Sequence, residues 1–94
     1  MKKKIVSAVC GYFKHSREDL IGKGKKAEIV KARQICAYLM CDMLSLPLVA
    51  IGNIIGGRDH TTIMYARDKM KNLEKLNSRI EKEIDDIKNI VLKK

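Results

Sequence analysis

Residues 47–67 read PLVAIGNIIGGRDHTTIMYAR. Pro47 suits the first turn of a helix, where its missing N–H has no intrahelical partner to lose. That helix runs through Val49 and Ile51 to about Ile54. Gly56 and Gly57 then let the chain turn tightly. Asp59 supplies an acid or a cap for the next helix. There Ile63, Ala66 and Met70 fall at i, i+3 and i+7, which predicts a helix to about Leu76. A short helix, a glycine turn and a helix that opens with polar residues make a helix-turn-helix. Many αα-corners also contain glycine, so the pattern alone does not single out a ligand.

The flanks are helical too. Ile5, Val6, Val9, Cys10 and Phe13 predict a helix over about residues 2–14. Ser16 with Asp19 three residues on starts a short turn that ends at Leu20. Glycines 22 and 24 break the chain. Ile29, Val30, Ile35, Cys36, Leu39, Met40 and Met43 predict a longer helix over 27–44. After an interruption at Asn77–Ser78, Ile80, Ile84, Ile87 and Val91 mark a last helix. No run alternates like a strand, and there is no internal repeat or linker. The expected fold is an all-α bundle of five to six helices in one domain, residues 1–94.

Ninety-four residues exclude a two-domain enzyme, and 46% hydrophobic residues suffice for a modest core. Twenty Lys and Arg against eleven Asp and Glu leave a formal net charge of +9. Such a surplus on a small domain points to a polyanion, either nucleic acid or an acidic membrane surface. Residues 1–33 alone carry +7, gathered around Lys2–Lys4 and the GKGKK segment, Gly22–Lys26. Because glycine interrupts that cluster, it reads as a basic loop suited to phosphate rather than as a solvated helix face.

The three lysines after Met1 are followed by too short an apolar run for a signal peptide, and no stretch approaches a membrane span. Cys10, Cys36 and Cys41 lack zinc-type spacing and sit in apolar patterns, as buried thiols in a reducing cytosol would. No second ligand accompanies His60 at metal spacing, and His15 reads as a surface residue. GKGKK supplies no Ser or Thr after either Gly-Lys pair, so it is not a nucleotide-binding P-loop. No nucleophile–base pair or paired carboxylate stands out. The expectation is a binding protein that is no enzyme, carries no metal or cofactor and holds no nucleotide.

Several strings together identify a family resemblance: VCGYF, REDLIGKGKKAEIVKARQ, ARQICAYL (Ala32–Leu39), SLP, IGNIIGGRDHTTI, and within it GGRDHTT (Gly56–Thr62). The chain resembles, over nearly its whole length, the C-terminal DNA-binding domain of the bacterial replication initiator DnaA. The resemblance implies a helical bundle built around a helix-turn-helix. It also implies double-stranded DNA as partner, at a nine-base-pair DnaA box, in a cytoplasmic, nucleoid-associated protein that is monomeric alone. The ATPase module of a full-length initiator is missing from this sequence. Met1-Lys2-Lys3-Lys4 suits both an excised domain and a complete small protein.

The chemistry of the segment agrees. The first residues of a recognition helix meet base edges. Asp59 can accept from a cytosine amino group, and His60 can donate to or accept from a purine edge. The Thr61 methyl can pack on a thymine methyl, and the hydroxyl of Thr61 or Thr62 can reach a base or phosphate. Asp59 could instead act only as a helix cap. Arg33 and Gln34 match the family's Arg-Gln pair, which implies backbone contacts: a bidentate phosphate pair and a neutral hydrogen bond. The bland reading of Arg33 is a surface salt bridge. Arg58 could reach phosphate or pair with Asp42 or Asp68 to brace the turn. Lys23 and Lys26 are expected at phosphates. Lys25 stands where the family often carries a minor-groove arginine, and it lacks that planar fork. A second departure is the spacing after Pro47. Leu48, Val49 and Ala50 separate it from Ile51, where one residue is usual, so the helix start is expected to shift.

Two other functions fit the same letters. One is a stand-alone regulator, transcriptional or from a mobile element, that uses this domain. The other is a helical interaction module in which the Ile80/Ile84/Ile87/Val91 stripe pairs with another chain; the simpler expectation is that this stripe closes the domain's own core. Membrane-surface binding through Lys2–Lys4 is a weaker fourth.

Overall fold

The computed structural model describes residues 2–93. Among them are six helices and no strand: α1 Lys2–Phe13, α2 Arg17–Ile21, α3 Ala27–Leu44, α4 Leu48–Ile54, α5 His60–Leu76 and α6 Ser78–Leu92. None is long and apolar enough to cross a membrane.

Short-range chemistry sets most boundaries. Helix α1 stops where Lys14 takes a left-handed φ of 60° and the His15 N–H donates to the Cys10 carbonyl at 3.0 Å. This is a helix-ending turn that usually employs glycine. Ser16 and Asp19 then form a reciprocal capping box at α2. Asn77 serves two helices at once. Its N–H donates to the Leu73 carbonyl at the end of α5, and its side-chain oxygen accepts from the Arg79 and Ile80 amides at the start of α6.

Helix α3 is the hub. It is buried on most of its circumference, as a helix packed on several sides must be. Helices α1, α2, α4 and α5 pack around it, while α6 lies across α1 and α5. The stripe Ile80, Ile84, Ile87 and Val91 is buried in this shared core, so it closes the domain and presents no free face for a second chain.

The extra residues after Pro47 are absorbed locally. Pro47 takes the cap position with φ −62° and ψ 149°, one residue before the first turn in which the sequence placed it. The Ile51 N–H donates to the Pro47 carbonyl as the first helical bond, and Ile51 is fully buried.

Candidate nucleic-acid interface

The turn between α4 and α5 is built on three glycines. Gly56 and Gly57 have φ of 76° and 73°, values that side chains with a Cβ rarely adopt. Gly52 lies inside α4. Its carbonyl accepts the Arg58 N–H at 2.9 Å, and a Cβ there would collide with the Arg58 carbonyl oxygen. A Cβ on Gly56 would collide with the carbonyl of Ile21, at the end of α2. The turn is thus seated against the start of the basic loop.

Asp59, His60 and Thr61 stand exposed where α5 begins. Asp59 occupies the cap position, yet its side chain caps no amide. Its carbonyl accepts from the Thr62 and Ile63 amides instead. The carboxylate accepts the Thr61 hydroxyl at 2.9 Å and lies 3.0 Å from His60 Nδ1. The Thr61 hydrogen bond, and less strongly the His60 imidazole, hold the Asp59 carboxyl below its ordinary value. With Nδ1 turned to the carboxylate, Nε2 is the ring nitrogen left to donate or accept. The triplet is therefore an ordered polar cluster facing solvent: a carboxylate, an imidazole Nε2 and the Thr61 methyl.

The two arginines expected at the DNA backbone are directed inward. Arg33 is only 9% exposed. Its Nε donates to the Leu20 carbonyl at 2.7 Å, Nη1 to Gly24 at 3.2 Å, and Nη2 to Asp19 at 3.1 Å and Gly22 at 3.0 Å. Four of its five donors are spent on carbonyls of α2 and the loop, so neither an open phosphate fork nor a surface salt bridge describes it. Arg58 donates from Nη1 to the carbonyls of Ile21 and Ile55 and from Nη2 to that of Gly22. It braces the turn, but through carbonyls. Asp42 pairs with Lys88, and Asp68 with Arg67. Burial, and next the neighbouring Arg58 charge, lower the Arg33 pKa; burial lowers that of Arg58. Both remain cations, since guanidinium does not deprotonate in proteins.

The remaining expected residues converge on the same side. Lys23, Lys25, Arg33 and Arg58 line one cleft with Gly56 and Gly57. Gln34 and Thr62 line an adjoining groove with Arg33, Arg58 and Tyr65. Lys25 and Gln34 also share a groove with Lys69. Lys26 sits exposed at the start of α3. The ion pairs among the described residues engage Lys31, Arg67, Lys82 and Lys88 and leave Lys23, Lys25 and Lys26 out. The sequence reading passed over Tyr65, Met64 and Lys69, on the exposed face of α5 next to Thr61. Their spacing from Thr61, at i+4, i+3 and i+8 respectively, was the available signal.

A sequence model of the family described as "Bacterial dnaA protein helix-turn-helix" matches residues 2–70. The chain belongs to the bacterial DnaA helix-turn-helix family. The chromosomal replication initiator protein DnaA of Lactococcus lactis subsp. cremoris is 43% identical over 86 residues, covering 92% of this chain and 19% of that protein. The initiator of the same name from Thermomicrobium roseum is 46% identical over 67 residues, 71% of this chain and 14% of its own length. That of Corynebacterium jeikeium is 34% identical over 83 residues, 88% and 14%. The chain thus spans a fifth or less of the curated DnaA proteins it matches. The family match covers α4, the turn and α5 as far as Met70, together with both arginines and the basic loop.

Proposed function

We propose that this chain binds double-stranded DNA sequence-specifically, at a DnaA-box-like nine-base-pair site, and serves initiation or regulation of chromosomal replication in the bacterial nucleoid. The observation that carries this is the GGRDHTT segment, which places an exposed Asp59-His60-Thr61 cluster at the opening of α5 beside a cationic loop. In this reading α5 enters the major groove and the triplet meets base edges. Lys25 approaches the adjacent minor groove. Lys23, Lys26, Gln34 and Thr62 meet the sugar-phosphate backbone. Arg33 and Arg58 add charge near the backbone, and their remaining donors are few. The domain acts as a monomer, catalyses no reaction, and needs no nucleotide, metal or membrane.

Fluorescence anisotropy with a DnaA-box duplex and a scrambled duplex, across a salt series, tests the proposal. The box should be preferred by at least about a hundredfold at physiological salt, with log affinity falling linearly with log salt. Equal affinity for both duplexes would refute sequence-specific reading. No affinity for either would refute DNA binding.

A further inference from the structure

Resting on the DNA-binding reading, we infer that Arg33 and Arg58 are positioning residues: a two-arginine clasp that fixes the loop Gly22–Lys26 to the turn before α5, so that Lys25 and the Asp59-His60-Thr61 cluster meet the duplex as one body. Three features carry this. The last carbonyls of a helix have no partner within it, and α2 is so short that most of its carbonyls are in that position. Arg33 takes those of Asp19 and Leu20, and Arg58 takes that of Ile21. The Gly22 carbonyl receives both guanidiniums, one from α3 and one from the turn. Beside them, the Gly56 backbone sits so near the Ile21 carbonyl that no Cβ fits between. The loop is thereby joined to the recognition element along a continuous set of contacts, although its two glycines would leave it mobile in isolation.

The chemistry requires arginine. A guanidinium offers five donors in a plane, and only that fork can serve up to four carbonyls at once. An ammonium has three donors around one point. A preordered loop also spares the complex the entropy of ordering it on the DNA. The clasp therefore acts on affinity through Lys25, without a contact of its own to the bases.

Arg33→Lys and Arg58→Lys keep the charge and remove the fork, and thermal melts establish that each variant is folded. Arg58, the less buried of the two, carries the test if Arg33→Lys does not fold. The first readout needs no DNA: amide relaxation order parameters for Gly24 and Lys25 should fall from about 0.85 to below about 0.6, with α5 unchanged. The second is a double-mutant cycle on a box with A·T-rich flanks. Lys25→Ala should weaken binding about tenfold in the wild-type background and less than about twofold in the clasp variant. A merely structural arginine would lower affinity equally with and without Lys25. Unchanged order parameters, or additive losses in the cycle, would overturn the clasp. If the wild-type domain fails to bind the box, the proposed function falls, and the order parameters still decide whether the clasp holds the loop.

Discussion

At position 60 one imidazole nitrogen faces the neighbouring Asp59 carboxylate, which leaves the other for the proposed base contact. His60→Ala should cost about 1–3 kcal/mol on the box and little on random DNA, and Thr61→Ala the same through its lost methyl contact. Parallel losses on both duplexes, measured by anisotropy, would remove the residue from base reading. Lys25 differs in kind. Its ammonium is strongly hydrated and has no planar fork, so Lys25→Arg should tighten binding several-fold, most on narrow A·T-rich flanks. No gain on either A·T or G·C flanks would reassign Lys25 to general phosphate contact. The exposed Asp59-His60-Thr61 cluster was legible because its signal is local: a polar run after two glycines. Arg33 was not, because the carbonyls it serves lie nine to fourteen residues away. A clue was present all the same. Arg33 falls four residues after Ile29 and three before Cys36, on the stripe that α3 buries, where an arginine needs internal partners.

Among the elements, the helices were readable to within a residue or so, since caps and breakers sit beside the positions they govern. Ser16 and Asp19 are three residues apart, and Asn77 touches both helices it separates. Pro47 fell one place outside its expected turn because the residues after it were free to form that turn themselves. What stayed hidden was the close approach of elements distant in sequence. Gly52 looks like an ordinary weak spot in a helix, yet it admits the backbone of Arg58. Gly52→Ala and Gly56→Ala should each destabilise the domain by about 2–4 kcal/mol, because the obstacle is backbone that cannot swing aside. Gly57→Ala should cost only about 1 kcal/mol, since nothing lies near its Cβ position and the left-handed φ is the sole penalty. Urea melts give the ranking; a Gly57 loss as large as the Gly56 loss would contradict it. At the end of α3, Ser45 holds φ 53°. Ser45→Gly should stabilise by a few tenths to about 1 kcal/mol in the same melts.

For the molecule as a whole, charge and burial act on different properties. Net charge governs attraction to the duplex: replacing Lys23 or Lys26 by Gln should reduce the salt slope by about one unit. An unchanged slope would place that lysine outside the interface. Burial governs behaviour in alkali. It pushes the Cys36 thiol from 9.0 up to about 12, and it raises the Tyr38 phenol too, with help from the hydrogen bond to Glu74. The unfolded chain gives up the Cys36 proton first, so this contribution is whole below about pH 9 and is lost as pH climbs towards 12. The slope is about 1.4 kcal/mol per pH unit for Cys36. Stability measured from pH 8 to 10.5 should decline less steeply in Cys36→Ala; identical declines would show that this thiol does not control it. The hydrogen bonds that tie loop to turn have a geometric consequence as well. In the proposed complex they set a fixed span between Lys25 at one groove and the Asp59-His60-Thr61 cluster at the next, which would make the domain a caliper. Inserting a single base pair between the core of a box and its A·T flank moves the flank about 3.4 Å along the axis and turns it by about a tenth of a revolution. A slack loop would follow that shift. A caliper does not stretch, so the flank should then contribute nothing, and the domain should tolerate a changed letter in the flank far better than a changed length.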